Sequence, residues 1–250
     1  MWTAGFCYVA GALTYGGEFM KDAWIEQWLG APRFQRYVDV CNGDRAQALK
    51  LYEWNVALGQ ALMRDISHFE IALRNAYNET MESRWPGKSH WLLDPDSPAV
   101  TPIWRIRKDR SGLKRGTDVN YQNRRAVDGA IRKCGGNSAT PGKVMAELSF
   151  GFWRQLTSAS HEKSVWVPFL HHAYPAKTDR ASVDQVIGTI NTVRNRIAHH
   201  EPIFDRPGNP EQEPGQLHPA LMRVLSMINP EVAEHLGPTS TVQAVLAQKP

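Results

Sequence analysis

Residues 44–84 read DRAQALKLYEWNVALGQALMRDISHFEIALRNAYNETMESR, and this stretch decides the fold. Apolar side chains fall at Leu51, Trp54, Leu58, Leu62, Ile66, Phe69, Leu73, Tyr77 and Met81. Steps of three and four place them on one face of an α-helix. Only Gly59 interrupts the pattern, and Pro86-Gly87 stops it. The spacing predicts a helix of about eleven turns, kinked at Gly59, with one stripe facing a core.

Outward from this helix the pattern stays helical. After a proline-punctuated segment (Pro95, Pro98, Pro102), periodicity returns over about 121–133 and ends at Gly135-Gly136. Thr140-Pro141 reads as an N-cap with proline at the first helical position, opening a helix through Val144, Leu148, Phe152 and Leu156. Short aromatic segments follow from Trp166 to Tyr174. A further helix is expected over about 182–200, with Val183, Val186, Ile187, Ile190 and Val193 on one face, closed by Pro202. After a loop over 205–219, two short helices are expected near 219–228 and 239–247. No period-2 alternation, repeat or low-complexity run stands out. The fold class expected is all-α, a bundle around the 44–84 helix with an irregular basic loop inserted near 86–120.

The chain has 250 residues, 42% hydrophobic and 22% charged, values of a globular protein rather than a disordered or fibrous one. Its three cysteines (Cys7, Cys41, Cys134) are too few and too far apart for a disulfide framework, so a cytoplasmic setting is expected. Residues 1–19 hold a short apolar run without preceding Lys or Arg, which argues against a secretion signal. The run is also too short to span a bilayer, so no membrane association is expected. Residues 1–19 are expected to be a poorly structured extension, and 20–250 a single helical domain.

The net charge of +4 is unevenly spread. Arg105, Arg107, Lys108, Arg110, Lys114, Arg115, Arg124, Arg125, Arg132 and Lys133 face only three Asp between positions 105 and 133. That segment is a solvated surface or a track for phosphates. Interleaved Trp104 and Tyr121 favour the second reading, with the residues from Arg105 to Arg125 as the RNA-binding set.

The segment Arg194-Asn195-Arg196-Ile197-Ala198-His199-His200-Glu201-Pro202 carries the chemistry. Arg followed by His after four to six residues marks the HEPN superfamily of helical ribonucleases and nucleotide-binding domains, but the bare spacing also arises by chance. Arg84 to His90 has it across Pro86-Gly87, and Arg154 to His161 has it running off a helix end. Around Arg194 the context differs: an Asn follows the Arg, the His is doubled, and the helix is well patterned. Together with Phe69-Glu70-Ile71-Ala72-Leu73-Arg74-Asn75 and Glu147-Leu148-Ser149-Phe150-Gly151-Phe152-Trp153-Arg154, in that order, the chain resembles the abortive-infection (Abi-like) family of phage-defence proteins, a HEPN branch.

The resemblance implies a HEPN-like bundle and a metal-independent endoribonuclease, acting in abortive infection or as a toxin. It implies a homodimer with two Arg–His sets around one cleft, and a 2′,3′-cyclic phosphate product. RNA can be cut without metal or other cofactor if one group takes the 2′-OH proton, another protonates the leaving oxygen, and cations hold the charged phosphorane. His199 fits proton transfer and Arg194 phosphate binding. Asn195, four residues before His199, is placed to orient its ring. His200 is either a second catalytic histidine or a structural donor. Arg194 lies about 140° around the helix from His199, so its long side chain must either curl toward the same site or serve a site shared with another subunit. Glu70, Arg74 and Asn75 are auxiliary candidates, although Glu70 and Arg74 also have the spacing of an intrahelical ion pair. His171-His172 completes no metal-ligand spacing, so no metal is expected. An antitoxin, protein or small RNA, is a candidate partner. The alternatives are a non-catalytic RNA-binding module of a defence system and a helical dimerisation module.

Overall fold

The structure, a computed structural model, describes residues 23–108 and 110–250, with only the backbone of Arg107. The extension expected over residues 1–19 lies outside the described residues. Two compact units form, one from residues up to Trp54 with Pro250, the other from Asn55–Lys249.

In the first unit, helices α1 (Ala23–Leu29) and α2 (Ala31–Val40) are separated only by Gly30. Its φ of +81° is one that glycine adopts without a Cβ penalty. A second turn, with Asn42 and Gly43 at positive φ, leads into α3 (Arg45–Arg84). There Asp44 Oδ1 accepts the Gln47 N–H at 2.9 Å and caps the helix. Ile25, Phe34, Tyr37 and Leu51 form the buried centre of this unit, and Arg45 pairs with Glu26 at 2.9 Å.

In the second unit the predicted stripe is the core. Leu58, Leu62, Ile66, Phe69, Leu73, Tyr77 and Met81 of α3 are all fully buried, each contributing roughly 2 kcal/mol by transfer from water. The α-helix is unbroken at Gly59, where a kink is expected from sequence. Gly59 instead faces Ile197, whose Cγ2 a Cβ there would meet at an ordinary contact distance of 3.4 Å. Helix α7 (Arg180–Ala198) starts two residues earlier than its apolar pattern suggests. The Asp179 carboxylate accepts the Ser182 N–H at 2.8 Å. Val183, Ile187, Ile190 and Val193 are its buried face.

Helices dominate, so the all-α class holds, but the basic loop is not irregular throughout. Strands β1 (Trp104–Lys108) and β2 (Lys114–Asp118) form an antiparallel hairpin. Trp104, Ile106 and Lys108 alternate with Arg105 and Arg107, and Gly112 supplies a φ of +83° in the turn. The hairpin escapes a period-2 reading because the alternation is too short: Trp104 and Ile106, 66% and 77% exposed, are the only apolar residues of β1, and β2 has none.

Its base is tightly held. Asp118 Oδ1 accepts the N–H groups of Ile103 and Asn120, both at 3.0 Å. Asn120 Nδ2 donates to the carbonyls of Pro98 and Thr101. Asn120 Oδ1 meets Nε2 of His161, whose Nδ1 bonds Ser158 Oγ.

Helix α4 (Tyr121–Lys133) follows as expected. The helix expected from Thr140 through Leu156 is two, α5 (Pro141–Glu147) and α6 (Phe150–Leu156), because Leu148 and Ser149 adopt extended backbone. The break turns Phe150 toward Phe69 and Phe152 and Trp153 toward Trp91. The C-terminal end holds three helices rather than two: α8 (Pro214–Ile228), α9 (Pro230–Leu236) and α10 (Val242–Leu246). Asn229 separates the first two and caps α9 through the Val232 N–H.

A buried polar network fastens this end to α3. Asp65 is fully buried. It pairs with His218 Nε2 at 3.0 Å and Arg64 at 2.7 Å, and accepts the Ser240 hydroxyl. Burial alone would raise the Asp65 pKa, but the hydrogen bonds from His218 and Ser240 hold it below the usual carboxylate range. Asp65→Ala leaves His218 and Arg64 without their partner, and a loss of about 3–5 kcal/mol is expected in urea unfolding at pH 7.

His161, buried in the hairpin's anchor, has its pKa pushed down to about 4 by desolvation. Between that value and the ordinary 6.5 the unfolded chain binds a proton that the folded chain refuses. This site therefore costs stability as pH falls through that window, by up to about 3 kcal/mol. Denaturant titrations at pH 7 and pH 4.5 are expected to show a smaller acid loss for His161→Gln than for the parent chain. Equal losses would exclude His161 as the source.

Candidate functional site

The last turn of α7 ends in a Schellman motif. The Glu201 N–H donates to the Arg196 carbonyl at 2.9 Å, and the His200 N–H to the Ile197 carbonyl at 3.0 Å. His199 is the C-cap residue. His200 follows in the left-handed conformation, φ +56°, a position usually held by glycine or asparagine and costing other residues roughly 1 kcal/mol.

Three side chains that the motif alone does not single out hold this turn. Arg196 donates through Nε and Nη2 to the Pro202 carbonyl at 3.2 and 2.9 Å, and it pairs with Glu201 at 3.2 Å. Asn55, buried on α3, accepts the Ile203 N–H at 3.0 Å. Of these, Asn55 has the plainest sequence signal: an amide beside the apolar stripe of a long helix.

Around this frame, Asn195, His199 and His200 are exposed. Neither histidine ring forms a hydrogen bond or ion pair with the described residues, and the Asn195 amide does not bond the His199 ring. Arg194 turns the other way. It is half-buried, and its charge acts on Glu70 of α3 more strongly than that of Arg74 does. Burial nonetheless dominates and raises the Glu70 pKa above the usual carboxylate range. The Nε atoms of both Arg194 and Arg74 are buried without a hydrogen-bond partner.

The structure therefore groups Glu70, Arg74 and Arg194 on one side of α7, and Asn195, His199 and His200 on the other. No ion pair within 4 Å joins Glu70 to Arg74, so their spacing is not used as an intrahelical bridge. Asn75 is exposed and lies apart, beside His68 and Asn229.

The basic segment divides as well. The hairpin carries Arg105, Arg107, Lys108, Lys114 and Arg115 on its strands and Arg110 in its turn. Its register sets Arg107 opposite Arg115 and Lys108 opposite Lys114, which concentrates basic residues on both strands. Arg124 has a structural role: Nη2 lies 2.6 Å from Asp118 and Nη1 donates to the Val100 carbonyl. Arg125 lies over the exposed ring of Tyr121.

Two other histidine groups have less to offer. His171 and His172 lie ring against ring, 3.8 Å between centroids. Among the described residues no cluster of three His, Cys, Asp or Glu side chains forms a metal site. Asp65, His218 and Ser240 bring together residue types of a hydrolase triad. However, one nitrogen, His218 Nε2, meets both the carboxylate and the hydroxyl, so no relay exists.

No helix among the described residues is long and apolar enough to cross a membrane. Searches of curated proteins and of solved structures return no match. The family model for Abi-like proteins matches residues 19–205, spanning α3, the hairpin and the whole of α7 with its terminal turn. The chain therefore belongs to the Abi-like protein family, which suggests a role in abortive infection, the defence of bacteria against phage.

Proposed function

We propose that the protein is a metal-independent endoribonuclease of the HEPN type, acting as an abortive-infection or toxin effector. One observation carries this reading: two exposed imidazoles, His199 and His200, sit on a helix-terminal turn that Arg196 and Asn55 fasten, with His200 in a costly backbone conformation. Strain held in place by buried bonds, with exposed titratable groups and no structural partner for them, is characteristic of functional sites.

In this reading His199 exchanges a proton with the 2′-OH or the leaving oxygen. Arg194 holds the scissile phosphate, for which a guanidinium offers a fork of N–H donors. Because Arg194 and His199 point to different sides of α7, the site is completed by a second copy of the chain. Cleavage of RNA in the presence of a chelator is expected. His199→Ala should lower it at least about 100-fold, with an unchanged melting temperature and an unchanged dimer in sedimentation. Cleavage by His199→Ala equal to that of the parent would overturn the reading.

A second reading, a non-catalytic RNA-binding module, is favoured by the hairpin. Its opposed like charges and exposed Trp104 and Ile106 suit a phosphate backbone and unstacked bases. Either way the hairpin is the RNA track. Lys108→Gln with Lys114→Gln is expected to weaken binding uniformly across sequences. It should also reduce the slope of log K against log salt by about 2, one per phosphate contact. Filter binding at several salt concentrations reads this directly.

A further inference from the structure

The two faces of the hairpin differ. Directly paired residues share a face and successive ones alternate. Trp104, Ile106, Lys108, Lys114 and Gly116 therefore lie together on one face. Its apolar groups are open to solvent, Ile106 and Trp104 being the two most exposed large hydrophobic side chains among the described residues. A Cβ at Gly116 would sit 3.9 Å from Trp104 Cε3, so the glycine sets no side chain against the six-membered ring. Asp118, directly across from Trp104, is engaged by Arg124 and by the N–H groups of Ile103 and Asn120. The indole thus stands open at the base of the hairpin, with the two lysines beyond it toward the turn.

Open apolar side chains on a basic surface have little to offer a duplex. In A-form RNA the bases stack on one another, and a protein meets phosphates, 2′-hydroxyls and base edges. Unpaired bases offer their faces, on which an aromatic ring stacks with little regard to sequence. Lysines on the same face meet the neighbouring phosphates. We propose that this face of the hairpin selects single-stranded RNA. Trp104 is the stacking platform for one unpaired base, Ile106 packs beside it, and Lys108 and Lys114 hold the backbone. An anionic lipid surface also attracts basic and aromatic groups, but a hairpin entering a bilayer needs its apolar groups at the tip. Here residues 109–113 read DRSGL, with Leu113 alone apolar, and the tryptophan is at the base.

This selectivity rests on the RNA reading and deepens it. From the hairpin base, hydrogen bonds run from Asn120 to His161 and on to Ser158. The adjacent Thr157 carbonyl accepts Arg180 Nη1 at 2.9 Å. Arg180 is the first residue of α7, and the exposed histidines stand at its other end. The helix between them is about 28 Å long. At about 3.4 Å per stacked nucleotide, a base on Trp104 is held several nucleotides from a bond that the histidines of the same chain reach. Trp104 is thus a specificity residue, not a catalytic one.

The test uses the full chain with 2′-O-methyl RNA, in which no 2′-OH is free to attack. Fluorescence anisotropy compares a labelled unstructured strand with the same strand annealed to its complement. Cosedimentation reads binding to phosphatidylglycerol vesicles. The single strand is expected to bind at least about tenfold tighter than the duplex. Trp104→Ala should weaken single-strand binding between about fivefold and 150-fold, the range for loss of one stacked base. It should leave duplex binding, the salt slope and the melting temperature unchanged, and Trp104→Phe should restore most of the affinity. Equal affinity for strand and duplex, no binding of the strand, or a Trp104→Ala effect that is absent or equal for both would overturn the proposal. So would vesicle binding that Trp104→Ala abolishes while strand binding survives it. Selective strand binding by a chain that cuts no ordinary RNA would uphold the platform and remove the ribonuclease. Cleavage of RNA with no preference between strand and duplex would do the reverse.

Discussion

The exposed end of α7 depends on one buried hydrogen bond, from the Ile203 N–H to Asn55 Oδ1. A chain leaving a helix beneath solvent has backbone groups to satisfy, and here the residues just beyond the turn, Ile203 and Phe204, go into the core. Without Asn55 the Ile203 amide would be buried unpaired, a loss larger than the bond's own net contribution. Gly59, one turn further along α3, packs against Ile197. With α7 fixed on one side and the following segment pinned on the other, the Schellman turn has a single arrangement. The directions of His199 and His200 follow from it.

The arginines show how far position, rather than residue type, decides a role. Arg196 closes the turn on the Pro202 carbonyl, Arg124 clamps the hairpin base, and Arg180 reaches the Thr157 carbonyl at 2.9 Å. Each meets a carbonyl or carboxylate with good geometry, so each is structural. Arg74, Arg154, Arg194 and Arg206 are set in the same unit but keep buried Nε–H groups without acceptors. A buried donor left in this way costs free energy.

The long helix and the core face of α7 were legible because each follows from a period read within one segment, whereas α7 ends at Ala198 in a turn where the pattern implied helix to 200. The stripe from Leu51 to Met81 needs no knowledge of its neighbours. The hairpin was not legible, because its apolar alternation stops after Trp104 and Ile106 and its base is held by Asp118, Asn120 and His161, which meet only in three dimensions. The break at Leu148-Ser149 was hidden for a related reason. Both flanking helices keep the apolar spacing, and only the packing of Phe150 and Trp153 shows that their axes differ. At the site, the motif could name Arg194 and His199 but not their opposed directions. Those depend on the turn at the end of α7, which Asn55 of α3 holds from far along the chain.

That opposition bears on how any substrate is held. A helix end shaped for stability alone would place glycine at position 200, where φ is +56°. The imidazole instead takes the left-handed position and projects into solvent beside His199. Arg194 lies about 140° around the same helix, against Glu70. A phosphate held by Arg194 and a ribose approached by His199 of the same chain would need the strand to bend around the end of α7, where Glu201 adds negative charge. Two copies brought together at their α7 ends would instead set the arginine of one beside the histidines of the other, with no bend in the strand. The split within one chain is thus an argument for a site built from two.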